Sequence, residues 1–324
     1  MKRTRFCELL GIDYPIIQAS FGPWAVPELV AAVSNAGGLG SIGTALQSAE
    51  QVTQQIARVR QLTNRPFVVN HTLRPLNEEA FQATIEAKPR AISLALGAPG
   101  DLVKRAHAAG ILFIQQVHTV QQARQAAERN VDVIIAQGSE AGGFGGVVSS
   151  LALLPQVVDA VSPIPVLAAG GIADGRGLAA ALVLGAQGIN IGTRFLASVE
   201  ATISPQWKHS ILSASSEDAV KVLFTSAVFP PPSPGGYDAS PRVLRTPFVD
   251  EWNQRPEAAR QEGPRLGKEL LEAIQQGRAH ELVPFTGQSA GMIHDLLPAA
   301  DILRTIMAEA ETSLRRAARL IQEP

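Results

Sequence analysis

Cysteine is nearly missing from this chain: the 324 residues include one, Cys7. A lone thiol excludes an internal disulfide and any metal centre built from several thiolates, and it suits a reducing cytoplasm, the expected location. Charge imbalance is equally scarce. The 28 basic and 29 acidic side chains sum to −1, and the basic residues are scattered, so neither nucleic acid nor an anionic membrane is an expected partner. No apolar run approaches the roughly 18 residues of a membrane span. The opening MKRTRFCELLGIDYP is basic but lacks the apolar stretch of a signal peptide. Missing too is a glycine-rich GxGxxG turn after the first strand candidate, where Gln18-Ala19-Ser20-Phe21-Gly22 stands instead, which argues against a doubly wound dinucleotide-binding sheet.

What is present is a rhythm. Short runs rich in Val, Ile and Leu recur at Pro15 to Ala19, Leu39 to Gly43, Phe67 to Thr72, Ala91 to Leu96, Leu112 to Val117, Val133 to Gln137, Pro165 to Gly170 and Ile189 to Thr193. Continuous apolar runs, unlike alternating ones, mark strands buried on both faces of a parallel sheet. Helical patterns lie between them: Val52, Ile56, Val59 and Leu62 fall on one stripe. Eight βα units predict an α/β fold, a (β/α)8 TIM barrel over residues 1–204. The remaining 205–324 form an irregular and helical extension packed on it, with a possible lid. Such a barrel typically takes about 250 residues, which leaves room for the appendage. Phe229-Pro-Pro-Pro-Ser-Pro-Gly-Gly-Tyr237 cannot be helix or central strand, because proline lacks the N–H and fixes φ. It is expected to cross the surface near the barrel mouth. Helical periodicity returns at Leu266 to Ile274 and at Asp301 to Ile321, where Ile302, Leu303, Ile306, Met307, Ala310, Leu314 and Ala317 form a stripe suited to the barrel wall.

Barrel enzymes work at the carboxyl ends of their strands, and the loops after strands seven and eight commonly hold a phosphate. The seventh candidate runs into Ala169-Gly170-Gly171-Ile172-Ala173-Asp174-Gly175 and the eighth into Gly192-Thr193-Arg194. Glycines let backbone N–H groups approach an anion, and a following helix terminus adds positive potential. The plainer reading is tight βα turns. A second glycine cluster, Gln137-Gly138-Ser139-Glu140-Ala141-Gly142-Gly143-Phe144-Gly145-Gly146, follows the sixth strand. So many glycines imply a backbone pressed against something flat or anionic, such as a flavin; the competing reading is a flexible loop without a ligand.

The ordered set Pro15-Ile-Ile-Gln18, Asn35-Ala-Gly-Gly-Leu39, Phe67-Val-Val-Asn70, Gln137 to Gly143, Pro165 to Gly175 and Gly192-Thr-Arg-Phe195, together with Gly287-Gln-Ser-Ala-Gly-Met-Ile-His-Asp295, resembles the nitronate monooxygenase family, formerly the 2-nitropropane dioxygenases. The resemblance spans nearly the whole chain. It implies an FMN-dependent enzyme in which Ala169, Gly170, Gly171, Gly192 and Thr193 hold the phosphate. Ala19, Ser20, Phe21, Gly22 and Asn70 would border the ring, with Ala141, Gly142 and Gly143 as a backbone wall. Gln116, Gln137 and Glu140 would reach the ring or the ribityl chain. The implied reaction turns an alkyl nitronate and O2 into a carbonyl compound and nitrite. Related scaffolds are NAD(P)H-dependent flavin reductases acting on quinones or enoyl thioesters, so NAD(P)H as co-substrate stays open, as does a flavin-binding protein with altered or lost activity. A homodimer is equally open.

One departure stands out. The family loop continues Gly-Gly-His, and that histidine is its catalytic base or substrate-orienting group; here the position is Phe144, which moves no proton. His71 and His118, at the ends of the third and fifth strands, are the candidates to compensate, each also readable as a histidine at the surface or one that touches only other side chains. His107, His209, His280 and His294 fall in helical or peripheral segments. Phe144, Trp24 and Ser289 are the expected substrate-pocket residues, although Trp24 could equally be packing and Ser289, with Gln288, a helix cap. No metal is expected.

Overall fold

A computed structural model describes residues 2–228 and 239–321. Among them the strands are, in chain order, β1 (Ile16–Gln18), β2 (Gly40–Gly43), β3 (Phe67–Thr72), β4 (Ala91–Ala95), β5 (Leu112–Val117), β6 (Val133–Gln137), β7 (Gly143–Gly145), β8 (Val166–Ala169), β9 (Gly188–Ile191), β10 (Ala219–Lys221) and β11 (Ser240–Leu244). Eight of these pair in parallel in the order β1-β9-β8-β6-β5-β4-β3-β2. The ring closes where Leu39 bridges Ile17, with Leu39 N–H donating to Ile16 O and Gln18 N–H to Leu39 O, both at 3.0 Å. The expected barrel is present, and each of its eight strands lies within one or two residues of the run that predicted it.

The continuous burial along β4, β6, β8 and β9 has the cause that the sequence suggested. Alternate residues face an inner core that contains Ile17, Leu39, Val68, Ile114, Ile135 and Leu167, and the others meet the ring of helices. In the helix Ala49–Leu62, Val52, Ile56 and Val59 are buried. Its first turn is fixed by a reciprocal Ser48–Gln51 capping box. The amino end of the barrel is plugged by the helix Arg5–Leu10, whose Phe6, Cys7 and Leu10 join the inner core. Burial there pushes the Cys7 thiol above its ordinary range, so Cys7 is a packing residue.

Beyond the barrel, β7, β10 and β11 form a small antiparallel sheet that the apolar runs did not predict, because two of the three residues of β7 are glycine. It ties the glycine-rich loop to the extension, with Phe144 opposite Pro241. The helix Gly263–Gln275 packs in a separate apolar cluster with Val222, Phe224, Val249 and Trp252. The helix Ala299–Ala318 returns to the barrel, burying Ile302, Leu303, Ile306 and Ala310 in the main core against the helices Gly175–Val183 and Pro27–Asn35. The expected stripe ends early, for Ala317 is exposed. The proline-rich stretch 229–237 lies outside the described residues. No helix among the described residues is long and apolar enough to cross a membrane.

Candidate active site

A cavity of about 810 Å³ opens at the carboxyl ends of the barrel strands, where this fold places its chemistry. Nearly every residue singled out in the sequence lines it: Ala19, Ser20, Phe21, Gly22, Trp24, Asn70, His71, Gln116, Gln137, Ala141, Gly142, Gly143, Phe144, Ala169, Gly170, Gly171, Gly192, Thr193 and Ser289. They come from the ends of β1, β3, β5, β6, β8 and β9, from β7 and the loop before it, and from the tail, and closure of the barrel brings them together.

The rims of β8 and β9 retain open backbone donors. Among the described residues, and outside the ladders and helices, the N–H groups of Gly170, Gly171, Gly192 and Thr193 donate to no backbone carbonyl. Gly170 has φ of +102° and lies 3.1 Å, from where a Cβ would stand, from Ala141 N and Gly138 O. Only glycine both tolerates that backbone and fits that gap. The helix terminus expected to assist is otherwise engaged. Asp174 accepts from Arg176 N and Gly177 N at 2.9 and 3.3 Å, and Glu309 accepts from Gly175 N at 2.9 Å. An anion at this rim therefore depends on the glycine amides and not on the helix start.

Glu140, expected to reach the ring or the ribityl chain, has a partner within the protein. It does not line the cavity; its carboxylate accepts from Ser150 N at 3.0 Å and Ser150 Oγ at 3.1 Å, capping the helix Ser150–Val161. Carboxylates stabilise helix starts in this way, and an oxygen so occupied is poorly placed for ribityl hydroxyls. Its backbone carbonyl accepts from Gln288 N, holding the tail against the loop. The tail also donates from Gly287 N to Thr193 Oγ1 at 2.9 Å. Ser289 thereby reaches the cavity, while Gln288 does not line it.

The two histidines are tied to the protein. His71 lines the cavity but is 1% exposed, with Nδ1 3.1 Å from Thr44 Oγ1 and Nε2 3.0 Å from Thr84 Oγ1. Burial holds its pKa down to about 4. His118 lies behind the wall, its Nε2 2.8 Å from Gln137 Oε1. Burial, with Lys221 adding to it, likewise brings its pKa to about 4, although the Gln137 hydrogen bond opposes the shift. A neutral ring with both nitrogens engaged, or one that does not line the cavity, is a poor general base.

The wall holds residues that the sequence did not indicate. Trp24 meets Trp207 edge-on at 5.1 Å and Phe285 at 6.1 Å, and Phe285 meets Phe144 at 6.1 Å. Trp207 and Phe285 belong to the extension, so no local pattern placed them beside strand ends. Trp207 is oriented by its Nε1–H donating to Thr286 Oγ1 at 3.0 Å. The guanidinium of Arg74 lies 4.8 Å from the Phe144 ring centre, within cation–π range. Among the described lining residues it alone carries a permanent charge. Its position shortly after β3 was a usable signal, since barrel strand ends face the site.

A parallel barrel with an apolar cavity at its strand ends, rimmed by glycine amides, is the arrangement of a TIM-barrel enzyme, and the rim is of the kind a flavin's phosphate and ring would fit. The chain belongs to the nitronate monooxygenase family, whose model matches residues 3–80 and 76–309. It is 33% identical, over 95% of its own length and 96% of the relative's, to a Rhodococcus jostii protein named (3aS,4S,5R,7aS)-5-hydroxy-7a-methyl-1-oxo-octahydro-1H-indene-4-carboxyl-CoA dehydrogenase. It is 35% identical to a Staphylococcus saprophyticus protein named "Probable nitronate monooxygenase", over 67% of this chain and 74% of that one. The solved structure of FabK from Thermotoga maritima superposes with a TM-score of 0.89 at 34% identity, covering 99% of this chain and 100% of the other.

Proposed function

We propose that the protein is an FMN-dependent oxidoreductase of the nitronate monooxygenase type that takes preformed nitronate anions and O2 to a carbonyl compound and nitrite. The observation that carries this reading is the pairing of Phe144 with Arg74. The wall offers no proton acceptor at position 144, but it offers a cation beside it. A neutral nitroalkane would have to be deprotonated in place, whereas a nitronate arrives as an anion and needs only to be held. FMN, when bound, supplies the electron acceptor and donor chemistry. Gly170, Gly171, Gly192 and Thr193 hold its phosphate by their amides. Ala19, Ser20, Phe21, Gly22, Asn70, Gln116 and Ala141 to Gly143 border its ring. Arg74 holds the anionic end of the substrate, and Trp24, Phe144, Trp207 and Phe285 keep water away from it. Ser289 closes the pocket from the tail.

Nitrite release decides the matter. Purified protein reconstituted with FMN is expected to release nitrite aerobically from propionate 3-nitronate and far more slowly from the neutral nitroalkane. A yellow protein that yields no nitrite from either overturns the reading.

A second reading is favoured by size and apolarity: about 810 Å³ lies towards the upper end of the roughly 300–1,000 Å³ of ligand pockets. In that reading the chain is an NAD(P)H-dependent flavin reductase for a quinone or an enoyl thioester, in keeping with the thioester in the Rhodococcus relative's name. Anaerobic mixing with NADH and NADPH separates the two: rapid bleaching of the flavin band supports the reductase, and its absence supports the oxygenase.

A further inference from the structure

A glutamine on a cavity wall can present its carbonyl or its amide, and which end it presents decides what it binds. Gln137, the last residue of β6, lines the cavity and is 7% exposed. Its Oε1 accepts twice, from His118 Nε2 at 2.8 Å and from Gln116 Nε2 at 3.0 Å, which leaves its amide N–H groups to face other partners. Lys221 reinforces that orientation. Its ammonium donates to Gly145 O and Ser240 O, and both Lys221 Nζ and Gln137 Oε1 lie 3.6 Å from where a Cβ on Gly145 would stand. Turning the amide over would point its N–H groups towards this positive charge and towards the two donors.

We propose that His118 is a positioning residue that locks Gln137 as a hydrogen-bond donor facing the cavity, where the amide serves the acceptor edge of the isoalloxazine ring and favours the reduced cofactor. The inference rests on the FMN reading above but not on the choice of substrate. His118 does not line the cavity and acts only through Gln137. It is itself held in place. Its backbone N–H donates to Gln122 Oε1 at 2.7 Å, and the approach of Gly146, whose Cβ would stand 2.7 Å from His118 Cβ, leaves the residue no room on that side. At neutral pH the ring carries one N–H, and the geometry puts it on Nε2. Reduction enriches the ring's carbonyl and nitrogen edge in electrons, so a fixed donor there strengthens on reduction and raises the potential.

The test is a double-mutant cycle on flavin affinity and potential in the full chain, with FMN removed and then titrated back. Q137L deletes the donor and H118F keeps a ring but deletes its N–H. Each is expected to weaken FMN binding roughly three- to tenfold, the range for one hydrogen bond, and to shift the reduction potential downwards. In the Q137L background, H118F should add nothing, because the lock has lost what it locks. Losses that add in the double variant, or an H118F protein with wild-type affinity and potential, overturn the proposal. H118N, whose amide is too short to reach Gln137, replaces H118F in the cycle if H118F does not fold, as judged by circular dichroism. A wild-type chain that takes up no FMN overturns the cofactor reading itself, and this inference with it; a wild-type chain that binds FMN and variants that do not differ overturn the inference alone.

Discussion

Two histidines buried as neutral rings make the stability of this protein depend on pH. His71 and His118 have folded-state pKa values near 4 against 6.5 for the exposed group. Between those values the unfolded chain binds more protons, so stability is full above about pH 6.5 and declines as the pH falls towards 4. Each ring accounts for a loss on the order of 3 kcal/mol, at 1.36 kcal/mol per unit. Urea midpoints at pH 7 and pH 4.5 should differ accordingly, and H71L should flatten part of the difference; an unchanged midpoint would show that the rings are not buried neutral. Phe144 sets a second expectation at this scale. Placing a histidine there, in F144H, should raise nitrite release from neutral nitroalkanes by about 10²- to 10⁴-fold, the worth of a positioned base, while changing the rate on preformed nitronate much less. Steady-state rates on the two substrate forms check it.

At the scale of elements, the glycine-rich loop after β6 and the tail segment around Gly287 are built to touch. A Cβ on Gly142 would stand 2.6 Å from Gly287 N, and one on Gly287 would stand 2.7 Å from Gly142 N, closer than real Cβ contacts come. Both partners are backbone and cannot swing aside. G142A is therefore expected to push the tail off the loop, loosening the Thr193–Gly287 bond and with it the hold on the cofactor. The variant should lose FMN during gel filtration under conditions in which the wild-type protein stays yellow. The same contact explains why the loop was only half legible. Its glycines announced a close approach, and the cavity does lie against Ala141, Gly142 and Gly143. What they also approach is another stretch of this chain about 145 residues away, which no local pattern encodes. The setting of Glu140 was hidden for the same reason: its partner Ser150 begins the next helix, and a carboxylate beside glycines looks the same in sequence whether it caps a helix or faces a ligand.

For the whole molecule, the extension both completes the cavity and clamps the barrel. Ile306 in the helix Ala299–Ala318 is 2% exposed within the main core. I306A should cost about 2–5 kcal/mol, as large-to-small core changes do, measured by chemical denaturation. If the clamp matters to the site, the variant will also hold FMN less tightly, since Glu309 on the same helix bonds Gly175 N just beyond the β8 rim.

The sequence by itself determined the barrel, its eight strands and the glycine rims, because these are matters of period and local backbone chemistry: continuous apolar runs mark doubly buried strands, and glycine marks backbone that must bend or be approached. Tertiary structure alone decided that Trp207 and Phe285 wall the cavity, that Glu140 serves a helix, that Arg74 lies against Phe144, and that His71 and His118 are engaged within the protein. Those facts depend on which distant segments meet, and a side chain's role follows from the partner that burial assigns to it.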